Sequence, residues 1–409
     1  MKIIVIGAGI VGVAGAHALL DDGHAVEIID REGPAAGTSQ GNAGGIANTE
    51  ITPLASPKIL RRVPHFLLDP LGPLAIRPAY ALKAAPWLLR FAASARPGPY
   101  KRNAEALFQL QARVADTWRA MAAKAGVERL VHRRGGLTVY DDAATFERHR
   151  PFFERQREID GDLELVDGPA IRRLEPALSE RFIAGLHHPN TAHVSDPRVM
   201  TVALFESAIA RGATFRKAHV DAIEAGVRPS VRAGGEKHEA DVILLAAGIW
   251  SKPLASALGD RVPLETERGY NISFPDLTGV IARMISFEGH GFVASPLDTG
   301  LRLGGAVELA GLAAAPNHAR TRAFHEKARS FLAGVPPFES GKVWMGHRPS
   351  TPDSLPVIGR SRAHSGILYA FGHGHYGLTQ SAATGELIAQ LVASRPTAID
   401  LTPFSAQRF

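Results

Sequence analysis

The chain has 409 residues, 45% of them apolar, enough to bury a large core and to form about two domains. It has no cysteine, which excludes disulfides, thiolate nucleophiles and any cysteinyl link to a prosthetic group. The formal charge of +6 comes from 46 basic and 40 acidic residues mixed along the chain, so no clustered face for nucleic acid stands out, and no run of about 18 apolar residues offers a membrane span.

A strand is expected over 2–6, running straight into Gly7-Ala8-Gly9-Ile10-Val11-Gly12 and a helix marked by Val11, Ala14, Ala18 and Leu19. A second strand over 25–29 ends in Asp30, 18 residues after Gly12. Gly7 lets a strand turn sharply, Gly9 lets backbone approach a pyrophosphate, and Gly12 allows close helix–strand packing. The helix start at Ile10 and Val11 supplies N–H groups and a positive dipole end to phosphates. Asp30 would accept hydrogen bonds from adenosine ribose hydroxyls. Arg31 either flanks the adenine or ribose or is a plain exposed arginine. Strand, triplet, helix, strand and acid in register predict a dinucleotide-binding unit. Because the first strand begins at once, no leader peptide is expected, and the expected location is the cytoplasm.

A proline-rich stretch follows, with Pro53, Pro57, Pro64, Pro70, Pro73, Pro78, Pro86, Pro97 and Pro99. Within it, Trp87, Leu88 and Phe91 stand close to Arg96, Lys101 and Arg102. Two readings stand for residues 84–102: an interfacial segment at the inner face of a membrane, or a cover for the core beside Trp118. A helix is expected over 101–125, with Leu107, Leu110, Val114, Trp118 and Met121 at helical spacing. A strand over 136–140 and a charged helix over 142–157 come next. Asp196-Pro197 is a helix start, an N-cap acid before proline, and that helix ends at Gly212. A strand over 215–220 and a buried-type strand over 242–248 follow. From 263 to 337, alternation of apolar and polar residues (Tyr270, Ile272, Phe274; Leu301, Leu303) predicts antiparallel strands of a second sheet. His187, His188, Glu265 and Glu267 sit in no motif and read as scaffold. A last strand, Ile367–Phe371, runs into Gly372-His373-Gly374-His375-Tyr376-Gly377-Leu378-Thr379 and a helix over 379–393. Glycine-rich backbone at a helix start is again a dipole site. His373 and His375 have no third ligand nearby, so no metal is expected.

Residues 242–251 resemble the Ala-Thr-Gly segment of two-dinucleotide flavoproteins, with Ala247 where threonine is usual. Residues 346–359 (Gly346-His-Arg348-Pro349, then Pro352, Asp353, Pro356 and Gly359) and 372–379 resemble the FAD-dependent D-amino acid oxidase family, which includes glycine oxidase, sarcosine oxidase and bacterial D-amino acid dehydrogenase. The loop 38–45 resembles the dehydrogenase branch in particular. The likeness touches both ends and the middle of the chain. It implies an α/β fold: a Rossmann-like FAD-binding domain (1–95, 166–262 and 338–409) and a substrate domain with a mixed or antiparallel sheet (96–165 and 263–337). Non-covalent FAD is expected, since cysteine is absent and loop 38–45 holds no histidine. By resemblance, Thr38 and Ser39 bond phosphate, and Asn42, Ala43, Gly44 and Gly45 approach the flavin ring. Val220 gives backbone bonds to adenine, and Ala247, Gly248, Trp250 and Gly346 line the cofactor. The turn from Gly372 and His373 through Gly374, Gly377, Leu378 and Thr379 supplies N–H groups to the flavin.

Arg348, read as part of a Gly-x-Arg-Pro turn, either pairs with a substrate carboxylate or braces its loop; a guanidinium suits the first task because it offers two parallel donors. Tyr270 either helps hold that carboxylate or is an aromatic of the second sheet. His373 and Tyr376 either line the substrate cavity or pack elsewhere. No side chain is assigned as acid or base. The implied reaction is oxidative deamination of D-amino acids, small or cyclic ones such as D-proline or a hydroxyproline included. Hydride leaves Cα for flavin N5 and an imine forms, with electrons passing to a quinone or another acceptor. The alternatives are oxidation of a sarcosine-like secondary amine or a 2-hydroxy acid on the same fold, or a flavin-binding protein without turnover.

Overall fold

The computed structural model describes residues 1–68, 72, 74–275 and 277–409, with only the backbone for 64–68. Pro70 and Pro73 of the proline-rich stretch lie outside the described residues.

The first expected strand, Lys2–Ile6, sits inside a sheet of six described strands, flanked by Ala25–Asp30 and Val242–Leu245. Thr214–Lys217 and Ile367–Phe371 extend it in parallel, and Val357–Arg360 closes one edge antiparallel. Such a sheet is covered on both faces, which is why Lys2–Ile6 is apolar at successive positions. Ile3 and Val5 face one core with Ala16, Leu19, Ala383 and Leu387; Ile4 and Ile6 face a second with Ile223, Val231 and Ile249. The first core lies under two helices, Ile10–Asp21 and Gly377–Val392, that cross closely. A Cβ at Gly385 would lie 2.7 Å from the Ala14 carbonyl oxygen, so glycine is what permits the crossing. The second core is covered by the three-stranded sheet of Val220–Glu224, Ser230–Ala233 and Glu236–Glu239.

The alternating segment forms Glu265–Phe274, Met284–Phe287, Phe292–Leu297 and Gly300–Leu309, as expected, and they join a larger sheet. Lys342–Ser350 adds to one end, and Gly136–Tyr140, Ala184–His188 and Glu164–Asp167 to the other. Leu74–Ile76 pairs parallel with Gly300–Leu309. Sheet membership therefore differs from the expected partition. The strands within 166–188 and 342–350 lie with the large sheet, because pairing between distant strands decides it. Helices Pro97–Ala112 and Val114–Ala125, expected in the substrate unit, pack Leu107, Leu110, Val114 and Trp118 against the dinucleotide unit. The expected single helix over 101–125 begins earlier, at Pro97, and is interrupted at Arg113. The strand over 215–220 divides into Thr214–Lys217 and Val220–Glu224, which enter different sheets. The helix Ala319–Phe331 interrupts the region read as strands throughout. Asp196 caps its helix as expected, accepting from Arg198 N–H at 2.8 Å, and Asp142 does the same at the earlier charged helix, accepting from Thr145 N–H at 2.8 Å.

Residues 81–94 form a helix whose aromatic side turns inward: Trp87 is buried, stacks on Phe91 at 5.3 Å between ring centres, and lines the central cavity with Leu88. Trp87 thus sits as the cover reading expects, and Phe91 is partly buried beside it, while Leu82 and Leu89 of the same helix are exposed. No helix among the described residues is long and apolar enough to cross a membrane.

Candidate active site

A cavity of about 1190 Å³ opens between the C-terminal ends of the parallel strands and the large sheet, the place where open α/β sheets bind ligands. At its dinucleotide end Gly7 has φ +111°, and a Cβ there would meet the Ala246 carbonyl oxygen at 2.5 Å. A Cβ at Gly12 would lie 2.0 Å from the Gly7 carbonyl oxygen. Gly9, Ile10 and Val11 line the cavity, whereas Gly12 works by packing alone. Asp30 faces the cavity, and its carboxylate also accepts from the N–H groups of Ala8 (2.9 Å), Glu32 (2.8 Å) and Gly33 (2.9 Å). It therefore holds the glycine turn in shape as well, a task the sequence reading missed. The Ser39 hydroxyl accepts from Ile10 N–H at 3.0 Å and keeps its own proton to donate. Thr38 lines the cavity, and its hydroxyl donates to the His347 carbonyl at 2.6 Å. Arg31 is not simply exposed: its guanidinium stacks 4.1 Å from the Trp250 ring at the cavity wall. Val220, Ala247 and Gly248 complete this end.

The loop beyond is held from every side. Asn42 accepts from Gly44 N–H at 2.9 Å and donates to the Ser39 carbonyl at 3.2 Å. Asn271 donates to the Gly41 carbonyl at 2.7 Å, and Arg302 to the Asn42 carbonyl at 2.8 Å. Thr379 donates to the Gly45 carbonyl and accepts from Ala47 N–H, both at 3.2 Å. Added Cβ atoms at Gly41 and Gly346 would strike the Trp344 ring at 2.4 and 2.0 Å. Ala43, Gly44, Gly45, Gly346, Gly372, Gly374, Gly377, Leu378 and Thr379 all line the cavity. The result is a cradle of bare backbone and two helix N-termini, at Ile10 and Gly377, which fits a flavin dinucleotide.

The family model described as FAD dependent oxidoreductase matches residues 2–391. The chain belongs to that family. A curated relative, the D-amino-acid oxidase of Bradyrhizobium diazoefficiens, is 37% identical over 100% of this chain and 98% of its own. Solved structures share the fold: glycine oxidase from Geobacillus kaustophilus (TM-score 0.75, 20% identity, 100% of this chain and 98% of that one) and L-proline dehydrogenase from P. horikoshii (TM-score 0.76, 20% identity, 100% and 97%). Iminodiacetate oxidase from Chelativorans is similar too (TM-score 0.74, 22% identity, 99% and 98%). The protein is thus an FAD-dependent oxidoreductase of the amino acid oxidase and dehydrogenase class.

At the other end of the flavoenzyme's cavity stands Arg348. It lies on a strand, Lys342–Ser350, and not in the turn expected; the strand is at the sheet's edge, where Pro349 is tolerated. Arg348, Gly346 and Trp344 pair with Glu267, Gly269 and Asn271, so all six share one face. The guanidinium lies over Gly269, where a Cβ would be 2.3 Å from its central carbon, and donates to the Ala306 carbonyl at 3.0 Å. Among the described residues it makes no ion pair. Burial pulls it below its ordinary pKa range and the Glu267 charge opposes that.

Tyr270 occupies the opposite parity. Its ring packs with Ile272 and Phe274, and its hydroxyl donates to Glu308 at 2.5 Å and accepts from Asn317 N–H at 3.1 Å. Its phenol is thus engaged by a buried carboxylate, although the residue also borders the cavity. His373 lines the cavity; its imidazole is 3.0 Å from the Thr384 hydroxyl and is driven by burial down to about 3. Tyr376 lines the cavity, its phenol pushed up by burial and then by Glu50 and Glu267. Glu265 is scaffold, accepting from the Tyr80 hydroxyl at 3.0 Å. Glu267 is not: it lines the cavity with His375, 2.8 Å away. No local motif joins those two residues, which lie 108 positions apart; only the strand register with Arg348 could have shown it.

Proposed function

We propose that the enzyme oxidises D-amino acids to imines, with small or cyclic substrates such as D-proline preferred, and passes the electrons to a quinone or a similar acceptor. The observation that carries this is Arg348, a planar cation in the cavity that lacks an ion-pair partner among the described residues. A carboxylate would supply the two acceptors its free edge lacks. The D-amino-acid oxidase relative supports the substrate's handedness. Trp87, Leu88 and Phe91 give the cavity an apolar wall suited to a small aliphatic ring. Flavin, held non-covalently by the cradle, supplies a hydride acceptor when bound. The chain's part is to fix the carboxylate on Arg348, present the Cα–H to the cradle, and exclude water. The division of labour between a flavin-binding unit and a substrate-binding unit belongs to the same proposal, as does a cytoplasmic setting.

Steady-state assays with an artificial dye test the proposal: D-proline should give higher kcat/KM than sarcosine or D-lactate. Replacing the dye by air-level oxygen should slow turnover strongly, and a soluble quinone should restore it. Preference for D-lactate would remove the amine from the account, and fast peroxide production would make the enzyme an oxidase. Acid precipitation should leave the yellow colour in the supernatant, whereas colour in the pellet would show a covalent link.

A further inference from the structure

The cavity wall beside Arg348 carries a pair with no task in the reaction as set out so far. Glu267 lies directly across the strand pair from Arg348 and is 5% exposed. Its Oε2 is 2.8 Å from His375 Nε2. An ionised carboxylate only accepts, so the contact requires the hydrogen on Nε2, and a neutral imidazole then has its lone pair on Nδ1. Among the described residues Nδ1 makes no hydrogen bond, and the His375 side chain, 27% exposed, borders the cavity.

The charges around the pair favour that state. Burial pulls His375 below its ordinary pKa and Arg348 adds to the effect, while Glu267 opposes it. Burial alone would raise Glu267, but the hydrogen bond from His375 and the charges of His375 and Arg348 hold it below the usual carboxylate range. On the same turn, Tyr376 is held protonated by burial, and His373 is neutral against Thr384. Glu50, which also acts on Tyr376, is pushed up by burial and by Glu288. At neutral pH the cavity therefore presents an unprotonated base, a carboxylate behind it and a cation beside it. A buried carboxylate is a costly way to brace a turn, which an apolar contact would do as well.

We infer that His375 takes the proton from the substrate's ammonium group once Arg348 has seated the carboxylate, with Glu267 fixing the ring and stabilising the imidazolium that forms. The inference rests on the proposed amino acid substrate. One N–H bond of the ammonium breaks, its electron pair stays on nitrogen, and an Nδ1–H bond forms; Glu267 keeps its charge throughout. The proton returns to water as the product leaves. The freed lone pair is what allows the α-carbon to give up hydride, so the base turns the abundant ammonium form of an amino acid into the reactive one.

His375→Gln and Glu267→Gln test this, with FAD content and melting temperature as checks on folding. Wild-type kcat/KM should stay level from neutral pH up to the pKa of the free substrate's amine. His375→Gln must wait for neutral amine from solution, so its kcat/KM should fall about tenfold per pH unit below that pKa and be more than about a hundredfold low at pH 7. Glu267→Gln should be slower than wild type but keep the level profile. A second readout avoids turnover: 2-aminoisobutyrate has no α-hydrogen, and the 15N shift of the labelled, bound analogue distinguishes amine from ammonium. Wild type should hold the amine at pH 7 and His375→Gln the ammonium. If His375→Gln keeps the wild-type profile, or wild type holds ammonium, this inference alone is overturned. If no amino acid reduces the wild-type flavin, the substrate reading falls with it.

Discussion

Replacing Arg348 by lysine keeps the charge and removes the geometry, which makes it a sharp probe of the carboxylate site. The guanidinium donates to the Ala306 carbonyl at 3.0 Å while lying over Gly269, and so offers its remaining edge to a ligand. A lysine ammonium is a point charge on a flexible stem. It can keep the Ala306 contact or meet the substrate, but it cannot present two parallel donors. Losing one charge-assisted hydrogen bond costs about 1.5–3 kcal/mol, and the sheltered setting favours the upper end. At about 1.4 kcal/mol per factor of ten, kcat/KM should fall roughly a hundredfold. FAD content should not change, because Asn271, Arg302 and Thr379 hold the flavin loop without Arg348. The assay is kcat/KM for several D-amino acids, together with inhibition by a simple carboxylate, which should weaken in parallel. Near-wild-type values for both would refute the assignment. Arg302 could not then serve as a substitute: it is already bonded to Asn42, to Ser273 at 2.9 Å and to Asp196 at 3.2 Å.

Three further outcomes are expected. Asp30→Ala should weaken FAD binding by roughly ten- to a hundredfold, about 1.5–3 kcal/mol, since ribose hydroxyls lose a charged acceptor and three backbone N–H groups lose theirs; unchanged affinity in a fluorescence titration would leave it a strand terminator. Gly385→Ala should lower the denaturation midpoint, corresponding to about 1–3 kcal/mol, because its Cβ meets the Ala14 carbonyl oxygen at 2.7 Å; an unchanged midpoint would mean the two helices part without cost. His188 and His193 are held by burial at about 4 against an ordinary 6.5, so the unfolded chain binds more protons between those values. Stability should therefore be full above pH 6.5 and decline toward pH 4. His188→Gln should flatten that decline in thermal melts, and a melting temperature constant across this range would contradict it.

What the sequence disclosed was local. Lys2–Ile6 and the triplet Gly7, Gly9 and Gly12 declare themselves because strand, turn and helix are contiguous, and each glycine is required by a contact a few residues away or by an adjoining strand. The N-cap Asp196 is legible for the same reason. Tyr270 stayed ambiguous because Gly269 shares the face of Arg348, while the tyrosine's own hydroxyl meets Glu308. Trp87 and Phe91 left two readings open because an amphipathic stripe looks the same whether it meets lipid or lines a cavity. Glu267 and His375 were silent because their meaning arises only when a strand and a distant glycine turn are brought within 2.8 Å. The strand Ala184–His188 was assigned with the dinucleotide unit and the boundary after 165 cut Glu164–Asp167, since the choice of sheet depends on a partner far away in sequence.

The central claim is that the cavity joins an amino acid's α-carbon to a flavin. Anaerobic mixing of the holoenzyme with a panel of D- and L-amino acids, while watching the oxidised flavin band, tests it directly. The account predicts rapid bleaching by D-amino acids, with D-proline among the fastest, and little change with their L-counterparts. Faster bleaching by the L-series would reverse the handedness, and an unchanged band across the whole panel would contradict the account itself.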